Sequence, residues 1–389
     1  MLRKIFLGIL LFFVCISSHA QNDSVKLTEP VSDTTSKPSL LITGAVDAYY
    51  RYDFNGPIDK PYNSFTSFTK TQNSFALGMA NVKFELQTKK TDVVADLGFG
   101  PREEEFAYND KGISQAIKQL YISYLPNSWL KLTAGTWATH LNYELADAFA
   151  NRNYSMSYYF TYGPFSHTGI KADFATSKKT AFMIGIANAT DYRLPPDGQI
   201  NKKFLLAQFT YNPDDQLQLL VNYVGGQAPD SSKSNISNVI ITDKISSKFN
   251  VVYNGILANV KQWDGVKNMT AKTWWGSALY FNYDPESWLG LTLRTEYYND
   301  QQQLNLYAEL PSGGTVFSNT LSANFKVEGL TFIPEFRFDH ASVPLFVKHS
   351  GKTHVAVASR NKESEVYHVH KNSLHEPVKK QGSLQMSLF

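Results

Sequence analysis

Two pairs of neighbouring residues in this chain could support nucleophilic or acid–base chemistry. Ser166-His167 places a hydroxyl group beside an imidazole, and Asp339-His340 places a carboxylate beside one. Both pairs fall in strand-like stretches, where adjacent side chains point to opposite faces, so neither forms a ready catalytic pair. The sequence also lacks a Gly-x-Ser-x-Gly elbow, a His-Glu-x-x-His motif, a phosphate-binding loop and a cysteine cluster. We therefore predict no enzymatic activity and no catalytic residue.

Four histidines close to the end of the sequence are a second candidate for chemistry. They are His354, His368, His370 and His375, and the spacing of His368-Val369-His370 can chelate a metal ion. An exposed polar loop with scattered histidines gives the same pattern and is the simpler interpretation. The sequence therefore predicts no metal site and no cofactor.

Charged residues also recur at alternate positions within apolar stretches, a spacing that places them on one face of a β-strand. In one such stretch Arg294 and Glu296 alternate with Leu293 and Tyr297. The residues that share this pattern are Asp47, Arg51, Lys83, Glu85, Lys171, Asp173, Arg294, Glu296, Glu335, Arg337 and Asp339. A soluble antiparallel sheet with one wet face would alternate in the same way. Alternation therefore predicts strands without choosing between a soluble sandwich and a membrane barrel.

The connections between these stretches favour the barrel. Outer-membrane barrels join their strands by short turns at one rim and by longer loops at the other. Short turns are predicted at residues 88–91, 126–128, 175–179, 212–215, 246–248, 284–287 and 328–329. Longer polar connections are predicted at residues 54–74, 101–113, 138–166, 188–202, 226–235, 261–272, 299–315 and 341–380. Seven turns and eight loops predict a single all-β, antiparallel, up-and-down transmembrane β-barrel of about sixteen strands, with both termini on the short-turn side.

Three of the short turns resemble one another and carry aromatic residues. Each has Tyr before a proline corner, as in Tyr124-Leu125-Pro126, Tyr211-Asn212-Pro213 and Tyr283-Asp284-Pro285. Proline presets the backbone at the corner, and Tyr is favoured where strands cross the headgroup layer. We interpret these segments as periplasmic turns with aromatic anchors.

Residues 1–20 have the pattern of a cleavable secretory signal. Arg3 and Lys4 precede an apolar run, and Ser18-His19-Ala20 provides a small-residue exit. The run is too short to span a bilayer as a helix, which needs about 20 apolar residues. Residues 21–39 are polar and predict a flexible periplasmic lead-in, so that residues 40–389 form the barrel.

Composition excludes several classes of protein. The single cysteine, Cys15, would leave with the signal, so disulfides cannot stabilise the mature fold. The formal net charge of +3 is too small to predict nucleic-acid binding. A mean hydropathy of −0.28 and the lack of a long apolar window argue against a helical membrane protein. Aromatic residues make up 14% of the chain, which suits the interfacial girdles of a barrel.

Closure of the predicted sheet determines the predicted function. Every backbone polar group in lipid needs a protein partner, so an open sheet edge is excluded there. A sixteen-stranded barrel is too wide for side chains to fill and encloses an aqueous lumen. The charged face would then line the pore, because Arg or Lys facing lipid at mid-depth costs about 2–4 kcal/mol. We predict an outer-membrane porin that passes small hydrophilic solutes or ions by diffusion; salt bridges that only stiffen the wall would explain the mixed charges equally well.

The connection at residues 138–166 is the longest in the first half of the chain and is rich in polar residues. We hypothesise that it folds into the lumen as a constriction, with Glu144, Asp147 and Arg152 close to the narrowest point. A loop packed on the rim of the barrel is the alternative interpretation.

From Gln119 onward the sequence resembles the OmpL-like outer-membrane β-barrel porin family. The resemblance is carried by Gly135-Thr136-Trp137, Asn151-Arg152-Asn153-Tyr154-Ser155, His167-Thr168-Gly169, Arg294-Thr295-Glu296-Tyr297 and Glu335-Phe336-Arg337-Phe338-Asp339. It implies a channel or transport role in the Gram-negative outer membrane. The family resemblance implies no particular solute.

The predicted partners follow from this interpretation. They are outer-membrane lipid, small hydrophilic solutes, the barrel-assembly machinery and a second copy of the chain in a homo-oligomer. The terminal stretch has Leu384, Met386 and Leu388 on one face, whereas Phe389 falls on the other. Alternatives to a diffusion channel are a substrate-selective channel, an outer-membrane hydrolase, a surface-recognition protein and a secreted soluble sandwich.

Overall fold

The computed structural model describes residues 38–196 and 201–347, and the backbone of residues 355–356 and 381–388. The predicted signal peptide, nearly all of the lead-in, the four histidines of the predicted metal candidate and Phe389 lie outside these residues.

Nineteen strands carry the fold, and fourteen of them follow one another as long antiparallel hairpins. Their bounds are β1 Ser39–Asp53, β2 Ser74–Gln87, β3 Thr91–Phe99, β4 Ile117–Asn127, β5 Leu130–Ala138, β6 Ser166–Ala175, β7 Thr180–Ala187, β8 Phe204–Tyr211, β9 Leu217–Gln227, β10 Lys233–Asp243, β11 Phe249–Lys261, β12 Lys272–Glu286, β13 Leu289–Asp300, β14 Gly314–Val327, β15 Leu330–Phe332, β16 Glu335–Ala341, β17 Phe346–Val347, β18 Val355–Ala356 and β19 Gln381–Leu388.

Sixteen strand positions make up the main sheet. Strands β15 and β16 both pair with β14 and occupy one position, interrupted at Pro334, which has no N–H group to donate to a neighbour. Strand β19 pairs with β16 on one side and with β1 on the other, so the pairings return to the first strand. The predicted sixteen-stranded up-and-down barrel is confirmed. Strands β17 and β18 form a separate two-stranded ribbon.

The connections also follow the prediction, with the seven short turns at one end of the barrel. The predicted loop at 226–235 is the exception, because β9 and β10 extend into it and leave residues 228–232 as the connection. Among the described residues, the longer connections contain two short α-helices, α1 Pro101–Phe106 and α2 Tyr158–Thr161, and two 3-10 helices, Gly112–Ala116 and Ala148–Ala150. Within the described residues, no helix combines the length and the apolar character needed to cross a bilayer.

Alternation along β13 shows how the two faces differ. Leu291 and Leu293 are 36% and 39% exposed, whereas Thr292 and Arg294 are 1% and 0% exposed. Apolar side chains thus cover the outside of the barrel, where acyl chains would contact them, and the charged side chains face inward. On this strand the charged side chain of Arg294 therefore lies on the inward face.

Replacing Leu293 by Arg is expected to lower the free energy of unfolding in lipid by about 2–4 kcal/mol, because a cation at mid-depth loses its hydration. Val327 is exposed and ends β14 at the short-turn rim, so Val327→Arg is the matched control, with an expected loss of about 0–1 kcal/mol. Urea titrations of the barrel in phospholipid vesicles measure both values. Equal losses would contradict a mid-depth position for Leu293.

The inner face is not polar throughout, and this differs from the sequence prediction. On β8 to β11 the inward side chains include Leu206, Leu220, Val224, Ile240 and Val252, all at most 3% exposed. These strands are apolar on both faces, so alternation could not distinguish the lumen side from the lipid side.

A ladder of side-chain amides crosses this apolar wall. Gln208 donates to Asn222 at 2.8 Å, Asn222 to Asn238 at 2.8 Å, and Asn238 to Asn254 at 2.9 Å. Buried amides need such partners because an unsatisfied polar group in an apolar environment is costly. The ladder therefore joins four neighbouring strands by side-chain as well as backbone hydrogen bonds.

Candidate functional site

The connection between β5 and β6, residues 139–165, lies inside the barrel; we call it the inner loop. The Tyr154 backbone N–H donates to Glu335 at 2.9 Å, and the Tyr158 hydroxyl donates to Asp339 at 2.9 Å. Because Glu335 and Asp339 are on the inward face of β16, the loop contacts the wall from within. The inner loop also contains α2, which begins after Ser157.

Glu144 makes the most buried ion pair of the inner loop. Its Oε1 lies 2.5 Å from Nη1 of Arg294, and the two side chains are 4% and 0% exposed. The other oxygen of Glu144 accepts from the Ser157 N–H and hydroxyl, both at 2.8 Å. Arg294 also donates to the Ser155 carbonyl at 2.7 Å. Two segments of the inner loop are thus fixed to one another and to β13.

Asp147 anchors the inner loop to the opposite part of the wall. The Lys118 ammonium lies 2.5 Å from Asp147 and 2.9 Å from Asp96 of β3. Close by, the Arg102 guanidinium of α1 lies 3.6 Å from Asp47 and donates to a backbone carbonyl of the loop at 2.8 Å. The inner loop therefore spans the lumen between two sets of ion pairs.

Arg152 brings the inner loop to the short-turn end of the barrel. Its guanidinium donates to both oxygens of Asp284, at 2.9 and 2.5 Å, close to the end of β12. Asn153 donates to Ser322 at 2.6 Å. Tyr158 binds Asp339, which lies close to the end of β16 that is far from the short turns. The segment from Arg152 to Tyr158 therefore runs along most of the length of the wall.

The eleven predicted pore-lining residues all lie on the inward face, but their surroundings differ. Seven lie on the strands that the inner loop contacts, and each of these is at most 5% exposed: Asp47, Arg51, Arg294, Glu296, Glu335, Arg337 and Asp339. Asp173 of β6 is also buried, at 4%. The other four form the pairs Lys83–Glu85 at 2.8 Å and Lys171–Asp173 at 3.7 Å. Lys83 and Glu85 are 24% and 25% exposed and retain contact with water. Pairing at positions i and i+2 also occurs between Arg337 and Asp339, at 2.9 Å, as expected of side chains that share one face of a strand.

Tyrosine side chains fill the space between the inner loop and the wall. Tyr158 stacks on Tyr298 with ring centroids 5.9 Å apart and an interplanar angle of 22°. The hydroxyl groups of Tyr159 and Tyr280 are 2.5 Å apart, and the rings of Tyr143 and Tyr280 are 4.7 Å apart. These rings add apolar contact area to the polar anchors of the loop.

Lys118 faces the lumen, although the period-two alternation of the sequence did not predict this. Counted back from Leu120 and Ile122, which are exposed on the outer face, Lys118 should face lipid. A register shift opposite Asp96 turns its side chain inward instead. The high cost of a lysine in the hydrocarbon layer is the signal that could have indicated such a bulge.

Residues of the two pairs considered for catalysis, Ser166-His167 and Asp339-His340, form hydrogen bonds with other residues. His167 Nε2 lies 3.1 Å from the Thr139 hydroxyl, and the Ser166 N–H donates to Asp191 at 2.8 Å. Asp339 accepts from Tyr158. No group of three or more His, Cys, Asp or Glu side chains suited to hold a metal ion occurs among the described residues.

Comparison with known protein families gives a match over most of the chain. Residues 39–361 match the family described as beta-barrel porin-2, OmpL-like. The chain belongs to this family. The matched segment contains all of the predicted pore-lining residues and the whole inner loop, so both are parts of an OmpL-like porin. No protein with a curated description matches the chain at a significant level.

Solved outer-membrane proteins share the fold of this OmpL-like porin at low sequence identity. The anion-selective porin from Comamonas acidovorans aligns with a TM-score of 0.56 and 9% identity, covering 90% of this chain and 99% of its own. The channel DcaP of Acinetobacter baumannii aligns with a TM-score of 0.56 and 12% identity, covering 92% and 100%. OmpT of Vibrio cholerae, expressed in the outer membrane, aligns with a TM-score of 0.52 and 9% identity, covering 92% and 99%. At these identities the likeness establishes the barrel fold alone.

One carboxyl group of this OmpL-like porin sits in an unfavourable environment for its charge. Glu103 of α1 is 1% exposed, and both of its oxygens lack a hydrogen-bond donor among the described residues. Burial raises the pKa of Glu103 to about 8; Lys118 and Arg193 oppose this effect, whereas Asp96 and Asp147 add to it. At neutral pH the group is therefore largely protonated.

Glu103→Gln is expected to raise the melting temperature of the barrel by an amount that depends on pH. Because the folded-state pKa exceeds the ordinary value of 4.5, the wild type loses stability as pH rises from there to about 8. The advantage of the variant should therefore grow over that window and stay constant above it. Heat-dependent gel mobility at several pH values measures the difference. Glu104→Gln is the control, since Glu104 is its exposed neighbour; an equal pH trend in both variants would contradict the assignment.

Proposed function

We propose that this chain forms an outer-membrane channel through which small hydrophilic solutes and ions diffuse. Membership of a porin family supports a channel in a Gram-negative outer membrane, and hence argues against an enzyme. The observation that carries the proposal is the water contact of charged, inward-facing side chains close to the short-turn end. On β2, β3 and β5 these are Lys83, Glu85, Asp92 and Lys131, which are 24%, 25%, 23% and 34% exposed.

The path is bounded on one side by these strands and on the other by the inner loop. Glu144, Asp147 and Arg152 are proposed to border its narrowest part, because each joins the loop to a different strand of the wall. The eleven inward charged residues line or support the path. A substrate-selective channel is the second candidate function, and we assign no residue to substrate binding in it.

Orientation and partners are part of the same proposal. Short turns face the periplasm in outer-membrane barrels, so the start of β1 and the end of β19 would also lie on the periplasmic side. Outer-membrane lipid would cover the apolar outer face, and the barrel-assembly machinery would insert the chain after removal of the signal at residues 1–20. A trimer form of Vibrio cholerae OmpT, with 8% identity and a TM-score of 0.53, supports testing for a homo-oligomer by crosslinking.

Ion conductance of the purified protein in planar bilayers tests the proposal. A channel gives discrete conductance steps, and liposome swelling with sugars and amino acids of graded size gives the size limit. A folded barrel that shows neither would refute the proposal and favour a hydrolase or a surface-recognition protein. Recovery of the folded protein without detergent would instead indicate a soluble sandwich.

A further inference from the structure

Acidic side chains are concentrated inside this barrel. Among the described residues, twelve Asp and Glu side chains are buried, of which Glu103 is largely protonated at neutral pH. Six basic side chains are buried, namely Arg51, Arg102, Lys118, Arg193, Arg294 and Arg337. The whole chain has the opposite balance, with 37 Lys and Arg residues against 34 Asp and Glu residues. Because the outer face of the strands is apolar, the buried charges belong to the lumen and its mouth.

Each buried cation is already matched by a carboxylate. Four of these six pairs lie within 3.0 Å, among them Arg193 with Asp110 at 3.0 Å and Lys118 with Asp96 at 2.9 Å. In Arg294–Glu144 the separation is 2.5 Å, and Arg51 and Arg102 each have a carboxylate at 3.6 Å. The basic side chains therefore leave little positive field to act on a passing ion.

Several buried carboxylates are instead bound by neutral donors. Glu335 accepts from the Ser322 hydroxyl at 2.8 Å and from the Tyr154 and Ser155 N–H groups at 2.9 and 3.2 Å. Asp300, the last residue of β13, accepts from the Leu304, Asn305 and Tyr307 N–H groups at 2.7, 2.9 and 3.0 Å. Such donors hold a carboxylate in place without cancelling its charge.

We propose that the channel is selective for cations. The inference rests on the proposed channel function and assigns its substrate class. Fixed charge of one sign beside a path with low-dielectric walls raises the local concentration of counter-ions and sets the sign of the permeating ion. The excess of carboxylates over cations along β13 and β16, with the inner loop holding the ions close to the wall, provides such a field.

The reversal potential in a KCl gradient across a planar bilayer tests the proposal. The expected sign is that of a membrane more permeable to potassium than to chloride. Glu335→Gln and Asp300→Asn are each expected to shift the reversal potential toward zero. Glu286→Gln is the matched control and should leave it unchanged, because Glu286 is 63% exposed at the short-turn rim.

Each outcome bears on a different claim. Channels with a reversal potential of zero, or with the sign of chloride permeation, would overturn cation selectivity and leave the channel function intact. A barrel that is folded by heat-dependent gel mobility and yet conducts no ions would overturn the channel function itself, and the selectivity with it. If one of these two variants fails to fold, the other carries the test together with the wild-type sign.

Discussion

Deletion of residues 144–153 is expected to raise the single-channel conductance several-fold. These residues form the part of the inner loop that crosses the lumen, from the ion pair of Glu144 with Arg294 to that of Arg152 with Asp284. Their removal opens a part of the pore cross-section that protein atoms now fill. The conductance of a water-filled pore increases with its open cross-sectional area. Planar-bilayer recordings under identical salt conditions measure the change.

Two further variants make this result interpretable. The deletion leaves the Arg294 guanidinium without its carboxylate, so the same deletion combined with Arg294→Met tests whether the unpaired charge disturbs the pore. Deletion of residues 264–267, which lie in the exposed connection between β11 and β12, is the control for shortening a loop and should leave the conductance unchanged. Unchanged conductance in a folded barrel without residues 144–153 would show that the inner loop does not constrict the pore.

Arg294→Met is expected to lower the free energy of unfolding by about 3–5 kcal/mol, because it leaves the buried Glu144 carboxylate without its cation. Arg294 also donates to the Ser155 carbonyl at 2.7 Å and to the Thr320 hydroxyl at 3.0 Å, so those acceptors lose a donor as well. The single-channel current should also become noisier as the inner loop is released. Urea titration in detergent micelles gives the free energy, and recordings in bilayers give the noise.

The exposed pair Lys248–Glu286 provides the comparison. Its atoms are 3.8 Å apart and its side chains are 56% and 63% exposed, so Lys248→Met should change stability by at most about 1 kcal/mol. The double variant Glu144→Gln with Arg294→Met should recover part of the loss, since it leaves no unpaired charge. A double variant no more stable than Arg294→Met alone would show that the ion pair is not what stabilises the inner loop.

Strand number and the inward face of β1, β13 and β16 could be predicted because those features are local. Along β13 the alternation of Leu293 with Arg294 is strict, and lipid tolerates only one of the two possible orientations. The same argument failed on β8 to β11, where inward residues such as Leu206 and Val224 are as apolar as their outward neighbours. It also failed at Lys118, where a single bulge reverses the alternation.

The sequence led to the hypothesis of a loop within the lumen, but the partners of that loop could not be predicted. Glu144 and Arg294 are 150 positions apart in sequence, and Arg152 and Asp284 are 132 apart. Period-two alternation specifies which face a residue lies on but carries no information on which distant residue it meets. The hypothesis of a loop within the lumen came from its length and polarity, and its anchors required the folded coordinates.

The ion pair between Arg152 and Asp284, close to the end of β12, has a consequence for biogenesis. The inner loop is synthesised between β5 and β6, yet Asp284 and Asp339, the acceptors of Arg152 and Tyr158, come from strands made much later. Contacts of such sequence separation form slowly, because the intervening chain must first be ordered. Before β12 to β16 are synthesised, Arg152 and Tyr158 do not have these acceptors. The inner loop can therefore reach its final position only as the C-terminal strands join the sheet.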